Sequence, residues 1–94
     1  MRRAEEVPTT ALYQNVPNPF DNETIIAFDL PADMPAVLSI YDVSGKVVMV
    51  RDIDGAKGMN EISLHRSELQ AVGVLYYQLD AAEYSATKRM IIIE

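Results

Sequence analysis

A chain of 94 residues with 14 acidic and 8 basic side chains, for a formal net charge of -6, has room for one domain and too little clustered positive charge to hold a nucleic acid backbone. A domain of this size buries only about 60 to 65% of the surface its unfolded chain exposes, so one modest core is all it can build. With no cysteine, no tryptophan and 2 phenylalanines, packing falls to Val, Ile, Leu, Met and Tyr, without disulfides or a Cys-based zinc site. The longest apolar runs, Val47-Val48-Met49-Val50 and Met90-Ile91-Ile92-Ile93, fall far short of the roughly 20 residues that a membrane-spanning helix needs, so no transmembrane segment is predicted.

Met1-Arg2-Arg3 is basic, but no apolar run follows it, so it reads as a linker remnant and not as a signal peptide. Residues 1–10 are expected to be a mobile lead-in and residues 11–94 the folded domain. Turn-forming residues then cut the chain at intervals of about 8 to 12 residues, the spacing of an all-β sandwich or barrel. The first predicted strand covers residues 11–14, and residues 15–22 form a loop, because Pro17 and Pro19 cannot donate to a ladder and push their neighbours into extended or turn geometry. Over residues 24–30, period-two alternation sets Ile26, Phe28 and Leu30 on one face and Ile25, Ala27 and Asp29 on the other. Residues 31–35, bounded by two prolines, break that strand, and residues 36–43 form the next, with Ala36, Leu38 and Ile40 facing one way.

Ser44-Gly45 signals a hairpin into a strand over residues 46–53, since a tight hairpin turn needs positive φ. Residues 54–58 are read as a second turn. Asn60, Ile62 and Leu64 alternate in a fifth strand, and residues 65–71, too polar for a long apolar face, predict a crossover with one helical turn. Residues 73–80 and 85–93 close as a hairpin across Ala81-Ala82-Glu83-Tyr84, with Leu75, Tyr77 and Leu79 on one face. Helix is a poor competitor, because no window sustains the i, i+3, i+4, i+7 pattern.

Asp52-Ile53-Asp54-Gly55 has the start of a calcium loop, but an EF-hand needs an oxygen ligand where Ala56 stands, Gly where Lys57 stands and Glu where Ser63 stands. That segment and Asp21-Asn22-Glu23 are read as turn chemistry, and no metal is assigned. His65 is the only imidazole, and neither Ser63 nor Ser67 lies in a nucleophile elbow, so His65 is read as a surface histidine and no catalytic residue or cofactor is assigned.

Leu12-Tyr13-Gln14-Asn15-Val16-Pro17-Asn18-Pro19-Phe20, followed by Thr24-Ile25-Ile26-Ala27-Phe28-Asp29-Leu30-Pro31, is similar in residues and spacing to the opening of the type A C-terminal sorting domains of the bacterial type IX (Por) secretion system. Ile40-Tyr41-Asp42-Val43-Ser44-Gly45-Lys46-Val47-Val48 looks like that family's central hairpin. Gly73-Val74 with Tyr77 and Leu79 looks like its Gly-Val-Tyr strand, and Thr87-Lys88-Arg89-Met90-Ile91 like its terminal strand. The resemblance runs from Leu12 to Glu94. Leu75 stands where the family usually has Tyr, Glu83-Tyr84 replaces a Gly-containing turn, and Glu94 stands where a basic residue is common.

The resemblance implies an immunoglobulin-like antiparallel β-sandwich of about seven strands, without catalysis, at the end of a longer exported protein. It further implies recognition by the type IX translocon at the outer membrane and removal by a sortase-like protease just before the domain, at a point within residues 1–11. The upstream cargo would then be released or attached to surface lipopolysaccharide. Such an address is read by shape and edge groups, and the candidate recognition residues are Gly73, Val74, Lys88, Arg89 and Met90, with the two cations meeting an acidic receptor surface. Exposed Lys on an edge strand is also a guard against aggregation. Asn15, Asn18 and Asp21 are expected mainly to satisfy backbone groups in a rigid turn, and Tyr13, Tyr41 and Tyr77 to serve packing. The competing reading is a structural or binding module that accompanies a secreted enzyme and is retained, with carbohydrate as its candidate ligand.

Overall fold

Alternation of buried with exposed or half-buried residues runs through Glu23–Leu30, and this segment is the middle strand of the smaller of two sheets. The computed structural model describes residues 9–94, so most of the expected lead-in lies outside the described residues. In chain order the elements are β1 (Ala11–Leu12), β2 (Glu23–Leu30), β3 (Met34–Tyr41), β4 (Val47–Gly55), β5 (Gly58–His65), α1 (Arg66–Leu69), β6 (Gly73–Ala81) and β7 (Tyr84–Ile92). They form two antiparallel sheets, one ordered β1-β2-β5 and the other β4-β3-β6-β7. The fold is a β-sandwich of seven strands among the described residues, as its turn spacing predicts.

The inner faces are those that alternation assigns. Ile26, Phe28 and Leu30 of β2 and Ile62 and Leu64 of β5 face Ala36, Leu38 and Ile40 of β3, Leu75, Tyr77 and Leu79 of β6, and Met90 and Ile92 of β7 in one buried cluster. Each fully buried Leu, Ile or Phe there contributes about 1.5 to 3 kcal/mol relative to exposure, which is the main force holding the sheets together. Ile25, on the other face of β2, is 39% exposed.

One side of the sandwich is closed by the segment between β1 and β2, which reaches across to β7. The other is closed where Arg51 of β4 donates to the Ser63 carbonyl oxygen of β5 at 3.4 Å and to Glu68 of α1 at 2.9 Å. Helix α1 is the single turn expected over residues 65–71. His65 caps it by accepting from the Ser67 N–H, and Glu68 accepts in return from the His65 N–H at 2.8 Å. That backbone donor, with the Arg51 guanidinium, holds the Glu68 carboxyl below its ordinary range. The Ser44-Gly45 hairpin is present, and Asp42 organises it by accepting from the Ser44 hydroxyl and from the backbone N–H groups of Ser44 and Lys46.

Several boundaries differ from expectation, three of them for reasons the structure makes plain. β1 ends at Leu12, short of residue 14, because the Tyr13 carbonyl and the Asn15 N–H turn to the Tyr77 hydroxyl. β3 starts at Met34 and so includes Pro35, which the sequence places in a break. β6 pairs with β3 only from Val37, so at Pro35 the strand has a neighbour on one side alone and the missing N–H costs no ladder bond. Asp54 and Gly55, expected in a turn, are instead the end of β4, and Gly58 opens β5, so the link shrinks to Ala56 and Lys57 as the chain crosses between sheets. Gly55 makes that crossing possible: a Cβ there would run into Leu30 Cδ1 and lie 2.7 Å from the Met34 carbonyl oxygen.

The β6–β7 turn consists of Ala82 and Glu83, and Ala82 holds a left-handed φ of 52°. A side chain at positive φ costs about 1 to 2 kcal/mol against its ordinary backbone, a cost glycine does not bear. Ala82→Gly is therefore expected to raise stability by about 0.5 to 1 kcal/mol and Gly55→Ala to lower it by about 1 to 3 kcal/mol, both read from urea midpoints.

Candidate functional site

Strand β7 lies at the edge of its sheet, so every second residue turns its backbone N–H and C=O away from β6. What meets these groups is set by one phenol. Tyr77 is fully buried at the centre of β6, and its hydroxyl donates to the Tyr13 carbonyl at 2.8 Å and accepts from the Asn15 N–H at 2.9 Å. Burial pushes its pKa up to about 12, partly offset by the Asn15 donor. The chain leaves β1 at this bond and is fixed again immediately beyond it. Asn15, 1% exposed, donates from its side chain to the Pro17 carbonyl and to the Thr24 hydroxyl, and Thr24 donates to the same carbonyl at 2.9 Å.

From there residues 14–20 form a strap between the sheets: Val16 pairs with Ile25 of β2, while Gln14, Asn18 and Phe20 reach the outer edge of β7. Gln14 donates to the Arg89 carbonyl at 2.7 Å, and the Asn18 side chain accepts from the Ile91 N–H at 2.9 Å. Phe20 donates its N–H to the Ile91 carbonyl and accepts from the Ile93 N–H, while its ring, 2% exposed, sits in the core. Arg66 completes the cover: its guanidinium donates to the Ile93 carbonyl at 2.7 Å and to the Asp21 carbonyl at 2.8 Å. The outward groups from the Arg89 carbonyl to the Ile93 carbonyl are thus all satisfied by strap or guanidinium.

The candidate recognition residues do not form one patch. Met90 is fully buried opposite Leu75, so its side chain faces the core and not the surface. Lys88 and Arg89 are adjacent in sequence and therefore point to opposite faces of the sheet: Lys88, half-buried, shares the inner side with Met90, and Arg89 is exposed on the outer side opposite Tyr76. Only a partner arriving at the edge meets both. Gly73, with φ of 91°, pairs with Ile92, and the half-buried Val74 pairs with Ile91, which places them about 7 to 14 Å along the ladder from the two cations.

The tyrosines also divide. Tyr77 packs as expected but its hydroxyl does more, Tyr41 is half-buried, and Tyr13 is 40% exposed and donates to Asp29, so it is not a packing residue. A shallow groove of about 450 Å³ beside α1, lined by His65, Arg66, Ser67, Gln70, Ala71 and Val72, lies away from β7's cations. Its polar groups serve the helix cap and the Arg66 clamp. Among the described residues no three of His, Asp or Glu come together as a metal site would require. Arg66 and Gln14 carry no sequence signal for their part in the strap, whereas a buried Tyr always needs a partner for its hydroxyl, and that demand is readable at Tyr77.

Tyr77→Phe leaves the Asn15 N–H buried without an acceptor and is expected to cost about 1 to 3 kcal/mol in urea denaturation. Because the folded-state pKa of Tyr77 lies above the ordinary value of 10.0, its contribution is complete below pH 10 and falls away as pH rises towards about 12. The wild-type chain should lose stability across that alkaline window more steeply than the Phe variant.

Among curated proteins, none matches the chain. A family model described as secretion system C-terminal sorting domain matches residues 15–93. That span opens at the buried Asn15 and closes at Ile93, whose carbonyl Arg66 holds, so it takes in the proline-rich strap from Asn15 onward and the whole of β7. The chain belongs to the C-terminal sorting domain family of type IX secretion.

Proposed function

We propose that this domain is a non-catalytic address: the type IX translocon takes hold of it to carry the attached protein across the outer membrane, and a sortase-like protease then cuts before it, within residues 1–11. The cargo body is released or anchored at the cell surface. The observation that supports this reading is the family match over residues 15–93, which includes the strap from Asn15 onward and every residue of β7. In this reading Arg89 and the ammonium end of Lys88 are the receptor contacts, and Gly73, Val74 and Met90, which pair or pack within the β6–β7 ladder, contribute by holding the two strands in register.

A fluorescent reporter fused ahead of residues 1–94 is expected to leave the periplasm in a type IX-competent strain and to stay there when residues 85–94 are deleted. Export of the deleted fusion would place the address elsewhere. Mass spectrometry of the exported reporter checks the cleavage step: a C-terminus at or before residue 11 is expected, and an intact domain on the exported protein would refute removal.

A further inference from the structure

The strap stops half-way along β7. Residues 89, 91 and 93 turn backbone groups outward, as their bonds to Gln14, Asn18, Phe20 and Arg66 show, and alternation carries the same orientation back to Thr87 and Ser85. At these two residues, and at the Arg89 N–H, no described residue supplies a partner. The open stretch is short and lined by small side chains, Ser85, Ala86 and Thr87, that let another backbone approach.

The other edges are managed differently. β1 is two residues long, β4 carries Asp52 and Asp54 and an irregularity of register opposite Ile40 and Tyr41, and on β5 the Arg51 guanidinium occupies the Ser63 carbonyl. Two cations flank the open stretch of β7, one on each face. Neither Lys88 nor Arg89 meets a carboxylate among the described residues, where the ion pair is Arg51 with Glu68.

We propose that the open half of β7, residues 85–89, binds by strand addition an extended segment of a protein partner that carries two adjacent carboxylates. The proposal rests on the reading of the domain as an address and concerns how its receptor takes hold. Backbone groups of the incoming strand pair with Ser85, Thr87 and the Arg89 N–H. Its side chains alternate between faces, so one carboxylate reaches Lys88 on the inner side and the next reaches Arg89 on the outer. An alternating acidic pattern would put both charges on one face and engage only one cation. The strap fixes the register, because a strand sliding further along β7 collides with Gln14.

The test uses the isotope-labelled chain of residues 1–94 and a capped hexapeptide, Thr-Val-Glu-Glu-Val-Thr, with a Gln-Gln counterpart. The amides of Ser85, Thr87 and Arg89 should shift and exchange more slowly with solvent, and those of Ile91 and Ile93 should not change. The Glu pair should bind about threefold to tenfold tighter than the Gln pair, an advantage lost at high salt. Shifts centred on β4 or on the groove beside α1, or equal affinity for the two peptides, would overturn the proposal. So would concentration-dependent protection of the same amides without peptide, which would mean that the edge pairs with a second copy of this chain.

In cells, Thr87→Pro removes an outward N–H without touching the β6 ladder and should lower reporter export by about tenfold. Should that variant lose its folded spectrum, Arg89→Glu replaces it with the same expectation. Full export of a folded variant would sink strand addition while leaving the sorting reading intact. Failure of the unaltered fusion to be exported would sink the sorting reading, and the peptide measurement would then decide the edge alone.

Discussion

The architecture turns on a single buried hydroxyl. Tyr77 sits at the centre of the larger sheet, yet its oxygen is bonded to two backbone groups of the segment leaving the smaller one. Without those bonds the Tyr13 carbonyl and Asn15 N–H would be buried polar groups with no partner, an arrangement folded proteins avoid. With them, β1 must end where it does, and the chain is delivered to the outer edge of β7. The inter-sheet contact is thus polar at this point within a mostly apolar interior. It specifies where the strap starts in a way that hydrophobic packing, which has no direction, could not.

The strap in turn determines what β7 can do. An uncovered edge strand of nine residues would be a standing invitation to uncontrolled pairing, and Lys or Arg side chains alone are a partial defence. Among the described residues Gln14, Asn18, Phe20 and Arg66 cover one half and leave the other bare, which limits the hazard to the short stretch proposed above as a landing place. It also separates two roles that the terminal motif carries in one run of sequence. Met90 and Ile92 hold the strand to the core, while Lys88 and Arg89 are left at the bare end, one on either face.

Much of this is legible in the sequence, for reasons that differ by element. β2, β3 and β6 alternate so regularly that their inner faces follow from period two alone, and errors of register are excluded because a one-residue slip would expose side chains such as Phe28 and Leu38. The opposite placement of Lys88 and Arg89 obeys the same rule, so treating them as one charged patch overlooks what alternation already says. The early end of β1 is invisible locally, since it depends on a tyrosine more than sixty residues away. Pro35 looks like a breaker because its missing N–H is judged without knowing that β6 stops at Val37. Gly55 reads as turn chemistry beside Asp54, when its lack of a side chain is needed for close approach to Leu30. Arg66 as a clamp on two carbonyls has no local signature at all.

The strap also bears on when the fold can form. Its hydrogen bonds to β7 join groups 75 and 73 positions apart in sequence, among the most distant in the domain. Contacts of that separation are slow to find, because the loop must close before they reward it. Until β7 has docked on β6, Phe20 has no edge to bridge and Arg66 no carbonyl at Ile93 to hold. The half-covered edge is therefore a product of completed folding, and a chain that has lost its last strand, or not yet placed it, displays no edge of that kind to read.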